Sequence, residues 1–281
     1  MDCVAFPQPE ASNWRKLRAS DSPGVQMGRA KAAAKNFTVD MWWTGLNDVE
    51  VGLFVHSRHR AKSRQFTADS DVIGEVLEGG ERAGLITYRE GLWKSDDPGA
   101  KRVVLKLFTP AMTWRGSIDL LIGRSVQLST GAGGFPVTSW SLNIDGHDQI
   151  VQVERSARKW PGMPEQFSFF LIEGGEARTY RLRQDWINFG GDYTLYDQTG
   201  ARIGHLNGHV FHMAGRWDVT LDGAPSPLLA TALQLIGGML KFNGAARRHI
   251  GRVVRGVRQG AISLAIDKQE ADLYLNPRRP R

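Results

Sequence analysis

The feature that most limits how this chain can fold is an apolar stretch near its C-terminal end. Residues 228–240 contain only two polar side chains, Thr231 and Gln234. A cluster of turn residues precedes the stretch, in which Ser226 suits the N-cap of a helix and Pro227 its first position. The pattern therefore predicts a helix that is apolar on nearly all faces, and such a helix must be surrounded by protein or by lipid.

The length of this stretch favours burial in protein. Its thirteen residues rise about 1.5 Å each and span about 20 Å, whereas the hydrocarbon core of a bilayer is about 30 Å thick. No window of the chain holds about 20 consecutive apolar residues, so no transmembrane helix is predicted. Gly237 and Gly238 weaken the helix intrinsically. Their small size predicts that neighbouring strands approach the helix closely.

Most of the chain before this helix has the pattern of short antiparallel strands. Between residues 37 and 223, apolar and β-branched runs are broken by turn signals about every ten residues, which is typical of a sandwich or barrel. The turn at 197–200 predicts a positive φ at Gly200. Residues 125–129 are predicted as a strand. The glycine-rich residues 131–134 are predicted as a hairpin tip rather than a phosphate loop, because no helix pattern follows them.

The chain divides into three predicted segments. They are a leader at 1–36, in which translation starts at Met1 or Met27, a barrel at 37–243 with its central helix at 227–242, and a basic extension at 244–281. The single cysteine, Cys3, excludes an internal disulfide. Residues 1–20 lack the basic and apolar regions of a signal peptide, so the sequence predicts a soluble, cytoplasmic protein.

Positive charge is concentrated at the two ends of the chain. The protein has 36 Lys and Arg against 29 Asp and Glu, for a formal net charge of +7. Residues 241–281 carry ten basic and three acidic side chains, and residues 1–36 carry six and three. The middle of the chain is slightly acidic, with twenty and twenty-three. Cationic ends indicate an anionic partner, such as nucleic acid or lipid headgroups, or they only keep the protein soluble.

Residues 169–240 resemble the C-terminal half of the tubby-like superfamily, which includes the LURP-one-related proteins and the phospholipid scramblases. The resemblance lies in Phe170-Leu171-Ile172, Tyr180-Arg181-Leu182, the run from Tyr193 to Gly200, Ile203-Gly204-His205-Leu206, Trp217-Asp218-Val219 and the run from Leu228 to Leu233. It implies a mainly β fold, a closed antiparallel β-barrel around a central hydrophobic helix. The N-terminal half matches poorly, and about 40 residues follow the helix that usually ends the domain in that family.

Arginines in the C-terminal extension form the main candidate site. These candidates are Arg247, Arg248, Arg252, Arg255 and Arg258. If the segment is helical, three of them (248, 252 and 255) share one face, and an apolar face is offered by Ile250, Val253, Val254 and Val257. A basic amphipathic helix is able to lie on an anionic membrane, where each cation contributes about 1 kcal/mol. The alternative is a solvated basic face. A second basic patch comprises Arg58, Arg60, Lys62 and Arg64.

Other polar clusters have simpler explanations. His205, His209 and His212 are close in sequence, but on a strand the third points away from the other two, so a metal site needs a bend near Gly208. The favoured interpretation is a hairpin. Turn chemistry also explains the carboxylates and the histidine of residues 145–148. No catalytic residue, metal or cofactor is predicted.

The sequence therefore predicts a non-catalytic binding protein of the tubby-like or LURP-one-like type that associates with anionic phospholipid, peripherally at a membrane surface. Two alternatives stay open. One is an enzyme with a pocket in residues 37–160, although no catalytic motif was found there. The other is a nucleic-acid-binding protein that uses its basic ends, and its affinity would fall steeply with salt.

Overall fold

Twelve β-strands and three helices make up the described part of the chain. The computed structural model describes residues 35–42, 71–157, 163–186, 191–209, 215–264, 266 and 270–271. The strands are β1 (Lys35–Met41), β2 (Asp71–Glu78), β3 (Glu81–Tyr88), β4 (Val104–Phe108), β5 (Trp114–Leu121), β6 (Ser139–Ile144), β7 (Val151–Arg155), β8 (Gln166–Glu173), β9 (Glu176–Gln184), β10 (Tyr193–Tyr196), β11 (Arg202–Gly208) and β12 (Arg216–Leu221). The helices are α1 (Glu90–Trp93), α2 (Ile122–Gly131) and α3 (Pro227–Arg258).

The strands form a closed antiparallel barrel. Each strand pairs with the next in sequence, and β1 pairs with β12 to complete the ring. Closure leaves no exposed sheet edge, because every strand has a neighbour on both sides. Along β1 and β12 the buried residues alternate with more exposed ones, so one face of the wall looks inward. The predicted fold class, mainly β with a closed antiparallel barrel, is confirmed.

The turn that connects β10 and β11 forms where the sequence predicts it. Asp197 Oδ1 accepts hydrogen bonds from the backbone N–H of Thr199 (2.8 Å) and Ala201 (3.0 Å). Gly200 has a φ of 83°, a backbone conformation that residues other than glycine rarely adopt. The predicted positive φ at this position is confirmed. The pKa of Asp197 is held below its ordinary value, chiefly by the hydrogen bond from the Thr199 side chain.

The first part of α3 is buried on every face, among the strands. We call residues 227–242 the inner half; within it every residue from Leu229 to Leu240 is buried. Ser226 is the N-cap, and its hydroxyl accepts from Leu229 N–H at 3.0 Å. A Cβ added at Gly237 would lie 3.0 Å from Val39 Cγ2 of β1, and one at Gly238 would lie 3.4 Å from Ile86 Cδ1 of β3. The predicted close approach of strands to both glycines is confirmed.

The helix is longer than the predicted 227–242. It continues without a break to Arg258, so the arginines belong to the same helix as the apolar stretch. We call residues 243–258 the outer half. Gly244 costs helix stability but does not end the helix, because buried Ala246 and Ile250 continue the apolar face at helical spacing. No helix in the described part of the chain is both long enough and apolar enough to cross a membrane.

The strand predicted at 125–129 is wrong, since these residues lie in α2. A run of only five residues in which polar and apolar side chains alternate fits the two-residue period of a strand and also the 3.6-residue period of a helix. Ser125 and Ser129, four residues apart, are both buried and donate hydrogen bonds to the backbone oxygens of Leu121 and Ser125. Each serine oxygen also accepts an N–H from the chain that follows the helix. Consequently the glycine-rich residues 131–134 end a helix, and they are not the tip of a hairpin.

Candidate functional site

The two ends of the barrel differ in chemistry, and α3 marks them. Ser226 hydrogen-bonds to Glu173, where β8 ends, so α3 starts at what we call the Ser226 end. The helix leaves at the opposite end, where Phe242 stacks on Tyr88 of β3 with 6.4 Å between ring centroids. We call this the arginine end. The connections β3–β4, β5–β6, β7–β8, β9–β10 and β11–β12 all lie there, because the strands alternate in direction.

The outer half of α3 places its arginines on one exposed face. Arg248, Arg252, Arg255 and Arg258 are exposed, and Arg247 is half-buried. On the opposite side, buried or partly buried apolar residues pack against the hydrophobic core; they are Ala246, Ile250, Val253, Val254 and Val257. The segment is helical, and it has the two faces that the spacing predicted.

The apolar face is already covered by protein, which corrects the predicted way of binding. An amphipathic helix that lies in a membrane interface inserts its apolar face among the lipids. Here Ile250 and Val253 are fully buried, and Val254 is 2% exposed. Only the arginine face of the outer half is open to a partner.

Four of the arginines line one cavity of about 480 Å³. Its walls are formed by Gly134, Pro136, Arg247, Arg248, Gly251, Arg252 and Arg255. None of these described residues is acidic, so their formal charge is wholly positive. The Arg258 guanidinium lies at the same loop, because a Cβ added at Gly134 would come within 2.7 Å of its Nη1. The cavity is therefore a cationic pocket built by one helix and by the loop that precedes β6.

A buried ionic network lies next to this pocket. Glu165, 4% exposed, forms a close ion pair with Arg155, which is 3% exposed. The carboxylate also accepts from the Tyr193 hydroxyl at 3.0 Å, and it lies 3.5 Å from Arg247 Nη1. Burial alone raises the pKa of Glu165, but Arg155, with hydrogen bonds from Asn243 and Tyr193, outweighs burial and holds the pKa below its usual value. Arg247 is thus tied to a carboxylate at one side of the pocket.

Arg252 and Arg255 differ from Arg247. Both are exposed, and within the described residues neither has a carboxylate within 4.0 Å. Their charges therefore point to solvent without compensation from the described neighbours. The helix sets their spacing, so little conformational freedom of the backbone is lost when they bind an anion.

His249 lies under the arginine face as part of the core. It is 2% exposed, and its ring meets Trp93 edge-on with 5.8 Å between centroids. Burial, followed by the charges of Arg252 and Lys101, lowers the pKa of His249 to about 4. The imidazole is therefore neutral at neutral pH and adds no charge to the pocket. Sequence analysis did not identify this residue, or Glu165, as part of the site.

The second predicted patch, Arg58, Arg60, Lys62 and Arg64, lies outside the described residues. The structure does place both flanking strand ends, at Met41 and Asp71, at the arginine end of the barrel. Of the nine predicted cationic residues, the five on α3 are brought together on one helix.

The histidine cluster is divided between separate carboxylate partners. His205 Nε2 lies 3.2 Å from Asp185 Oδ2, and His209 Nε2 lies 2.6 Å from Asp218 Oδ2. His212 lies outside the described residues. No group of three or more metal-ligating side chains is found among the residues that the structure describes.

A second cavity, of about 390 Å³, lies at the Ser226 end. Its polar side chains come from Asp145, His147, Glu173, Ser226 and Thr231. The Ser226 hydroxyl is engaged as the helix cap and donates to Glu173, and His147 Nε2 has no hydrogen-bond partner among the described residues. The Ser–His contact that nucleophilic catalysis requires is not formed here within that part of the chain.

No protein-family model, no curated protein and no solved structure matches the chain. The tubby-like resemblance therefore stays a prediction from the sequence.

Proposed function

We propose that this is a non-catalytic binding protein of the tubby-like or LURP-one-like type, which associates with anionic phospholipid at a membrane surface through the arginine face of α3. One observation carries the proposal. Four arginines line a single cavity of about 480 Å³, and no acidic side chain is among its described lining residues.

The chemistry of arginine favours a phosphate-bearing partner. A guanidinium presents a planar fork of N–H donors that matches two phosphate oxygens at once. Arg248, Arg252 and Arg255 follow one another at helical spacing, so adjacent headgroups meet a preformed row of donors. Each cation near an anionic surface contributes about 1 kcal/mol. Three of them together amount to about 3 kcal/mol, or on the order of a hundredfold in affinity.

The fold is compatible with the family type that the sequence suggests. A closed antiparallel barrel with an apolar helix buried among its strands is the architecture that the tubby-like resemblance implies. The continuation of α3 into an arginine-rich outer half is a departure from that pattern. We therefore assign the binding role to this continuation, and the barrel holds it in place.

Vesicle co-sedimentation tests the proposal. The variant Arg248→Ala/Arg252→Ala/Arg255→Ala is expected to lose affinity for equimolar phosphatidylcholine–phosphatidylserine vesicles on the order of a hundredfold. A matched control removes three exposed arginines from β9, in the variant Arg178→Ala/Arg181→Ala/Arg183→Ala. Both variants lose the same charge, so a loss confined to the first assigns binding to α3. Equal binding by the α3 variant and the wild type would reject the proposal.

The same two variants distinguish nucleic-acid binding. If the basic surface serves nucleic acid, a duplex oligonucleotide binds more tightly than the vesicles and its affinity falls steeply with salt. The proposal instead predicts that the oligonucleotide does not displace the protein from vesicles at physiological salt. The arginine face would be assigned to nucleic acid if the oligonucleotide displaces the wild-type protein from vesicles and the α3 variant no longer shows this effect of the oligonucleotide.

A further inference from the structure

Exposed apolar side chains collect at the arginine end of the barrel. Five large apolar residues of the described chain remain exposed: Phe135, Met163, Phe170, Trp186 and Ile266. Phe135, Met163 and Trp186 lie in connections at the arginine end, in the β5–β6, β7–β8 and β9–β10 links. Ile266 follows α3 and lies near the start of α2 at the same end, since a Cβ added at Gly123 would be 3.5 Å from Ile266 Cγ1. Only Phe170 lies on the barrel wall, in β8.

Phe135 stands at the edge of the cationic pocket itself. Its two neighbours in sequence, Gly134 and Pro136, both line the cavity that the arginines form. The Phe135 side chain remains 52% exposed. Burying an aromatic ring is among the largest favourable contributions that a side chain makes, so an exposed ring at the edge of a cationic pocket offers a partner a strong apolar contact.

The backbone around Phe135 is held in place. Gly134 N–H donates to the Ser129 carbonyl at 2.7 Å, and Val137 N–H donates to the Ser129 hydroxyl oxygen at 2.8 Å. Arg155 Nη1 donates to the Pro136 carbonyl at 2.8 Å. These bonds hold the backbone on both sides of Phe135, so the position from which its side chain extends is set by the fold.

We propose that Phe135 is an apolar anchor that enters the boundary between headgroups and acyl chains of an anionic bilayer while the arginines of α3 bind the headgroups. This inference rests on the proposed function, and it identifies Phe135 as the residue that supplies the apolar contribution to membrane binding. The occupant is a bilayer because the sequence neighbours of the exposed ring line the same cavity as the arginines. An anionic membrane offers the complement of both, a charged layer directly above an apolar one. Met163 and Trp186 lie at the same end of the barrel, and they favour the same orientation of the molecule on the membrane.

Phe135→Ala tests the anchor, and Phe170→Ala is its matched control. Phe170 is 46% exposed, close to the 52% of Phe135, but it lies on the barrel wall. Phe135→Ala is expected to lower affinity for equimolar phosphatidylcholine–phosphatidylserine vesicles about tenfold. The fold-loss should persist when salt is raised, because apolar burial is not screened. Phe170→Ala is expected to bind like the wild type.

A fluorescent label measures insertion directly. Cys3 is the only cysteine, so Cys3→Ser/Phe135→Cys carries one reactive thiol for an environment-sensitive dye. On vesicles its emission should shift to the blue and be quenched by nitroxide groups on the acyl chains. The same label in Cys3→Ser/Phe170→Cys should keep its aqueous emission.

The outcomes separate this inference from the proposed function. If wild-type protein does not bind anionic vesicles, both fall. If it binds, while Phe135→Ala binds equally and the label at 135 stays aqueous, the anchor is rejected and the arginine function stands. If Phe135→Ala instead dissociates an oligomer in sedimentation velocity and leaves vesicle binding unchanged, the ring serves a second copy of the chain and the inference is overturned.

Discussion

The inner and outer halves of α3 share one continuous helix, but their surroundings are opposite. In the inner half every residue from 229 to 240 is buried, so each side chain must fit the strands around it. In the outer half one face packs on the core, and the other presents arginines to solvent. A face that contributes no packing is not needed to hold the fold. Its composition is therefore the better guide to a partner, and the inner half is the better guide to stability.

The two halves should differ most in the loss of stability when one buried isoleucine in each is replaced by alanine. Ile236 and Ile250 are both fully buried. We expect Ile236→Ala to lower the free energy of unfolding by about 4 kcal/mol and Ile250→Ala by about 2 kcal/mol. A closed barrel cannot collapse onto the cavity left by Ile236, whereas the outer half can shift toward α2. Urea denaturation measures both values, and an equal or reversed order would contradict this view of the two halves.

Glu165 links the outer half of α3, through Arg247, to the buried charge of Arg155. Glu165→Gln leaves Arg155 buried without a counter-charge, and it should cost about 3 kcal/mol at neutral pH. Because the pKa of Glu165 is lower in the folded protein than its ordinary value of 4.5, the stabilisation is present above that pH and is lost as pH falls through the folded pKa.

Unfolding free energies at pH 7 and in the acid range test this assignment. The wild-type protein should lose stability below pH about 4.5, and the variant should lose less. Glu154→Gln is a suitable control, since its partner Arg124 is 30% exposed and the pair is open to water. A variant as stable as the wild type at pH 7 would show that the network does not support the outer half.

His249 should give an effect that appears only as the pH falls below neutrality. Its pKa is about 4 in the folded protein against an ordinary value of 6.5, so between these pH values the unfolded chain binds a proton that the folded chain does not. Stability should therefore fall by about 3 kcal/mol as pH decreases through that window. His249→Leu should flatten the profile there. An unchanged slope in the variant would mean that another group titrates.

The smallest effect is expected on the exposed face. Arg252→Ala should change the free energy of unfolding by less than about 0.5 kcal/mol, because the side chain is exposed and alanine favours helix. Thermal and urea unfolding measure this directly. A loss comparable to that of Ile250→Ala would show that the arginine face holds the structure together, and its role in binding would need another argument.

Local signals predicted the barrel and the start of α3 well. Ser226 and Pro227 mark the first turn, and the apolar residues that follow are buried as their composition requires. The turn at Asp197 is likewise encoded by its own side chain. Such features depend on neighbours in sequence, and so a pattern is sufficient to find them.

Features assembled from distant residues were missed. Glu165 interacts with Arg155 of β7, with Tyr193 of β10, and with Asn243 and Arg247 of α3, so its partners come from three separate elements. No spacing rule connects them. The end of α3 was missed for a related reason: Gly244 weakens the helix locally, and the packing that overrides it comes from tertiary structure. Similarly, α2 was misread because Ser125 and Ser129 bond to their own helix and to the loop before β6.

Pairing of the first strand with the twelfth has a consequence for the order of folding. Thr38 bonds to Asp218 across 180 positions, yet the helix that fills the interior follows both strands in the chain. A helix with its side chains is about 10 Å wide, and the inner half touches the wall around it. We expect the ring to close only after that helix is present, so the wall stays incomplete until α3 has been synthesised. Strand closure and helix docking become one late event, and such long-range closure is slow.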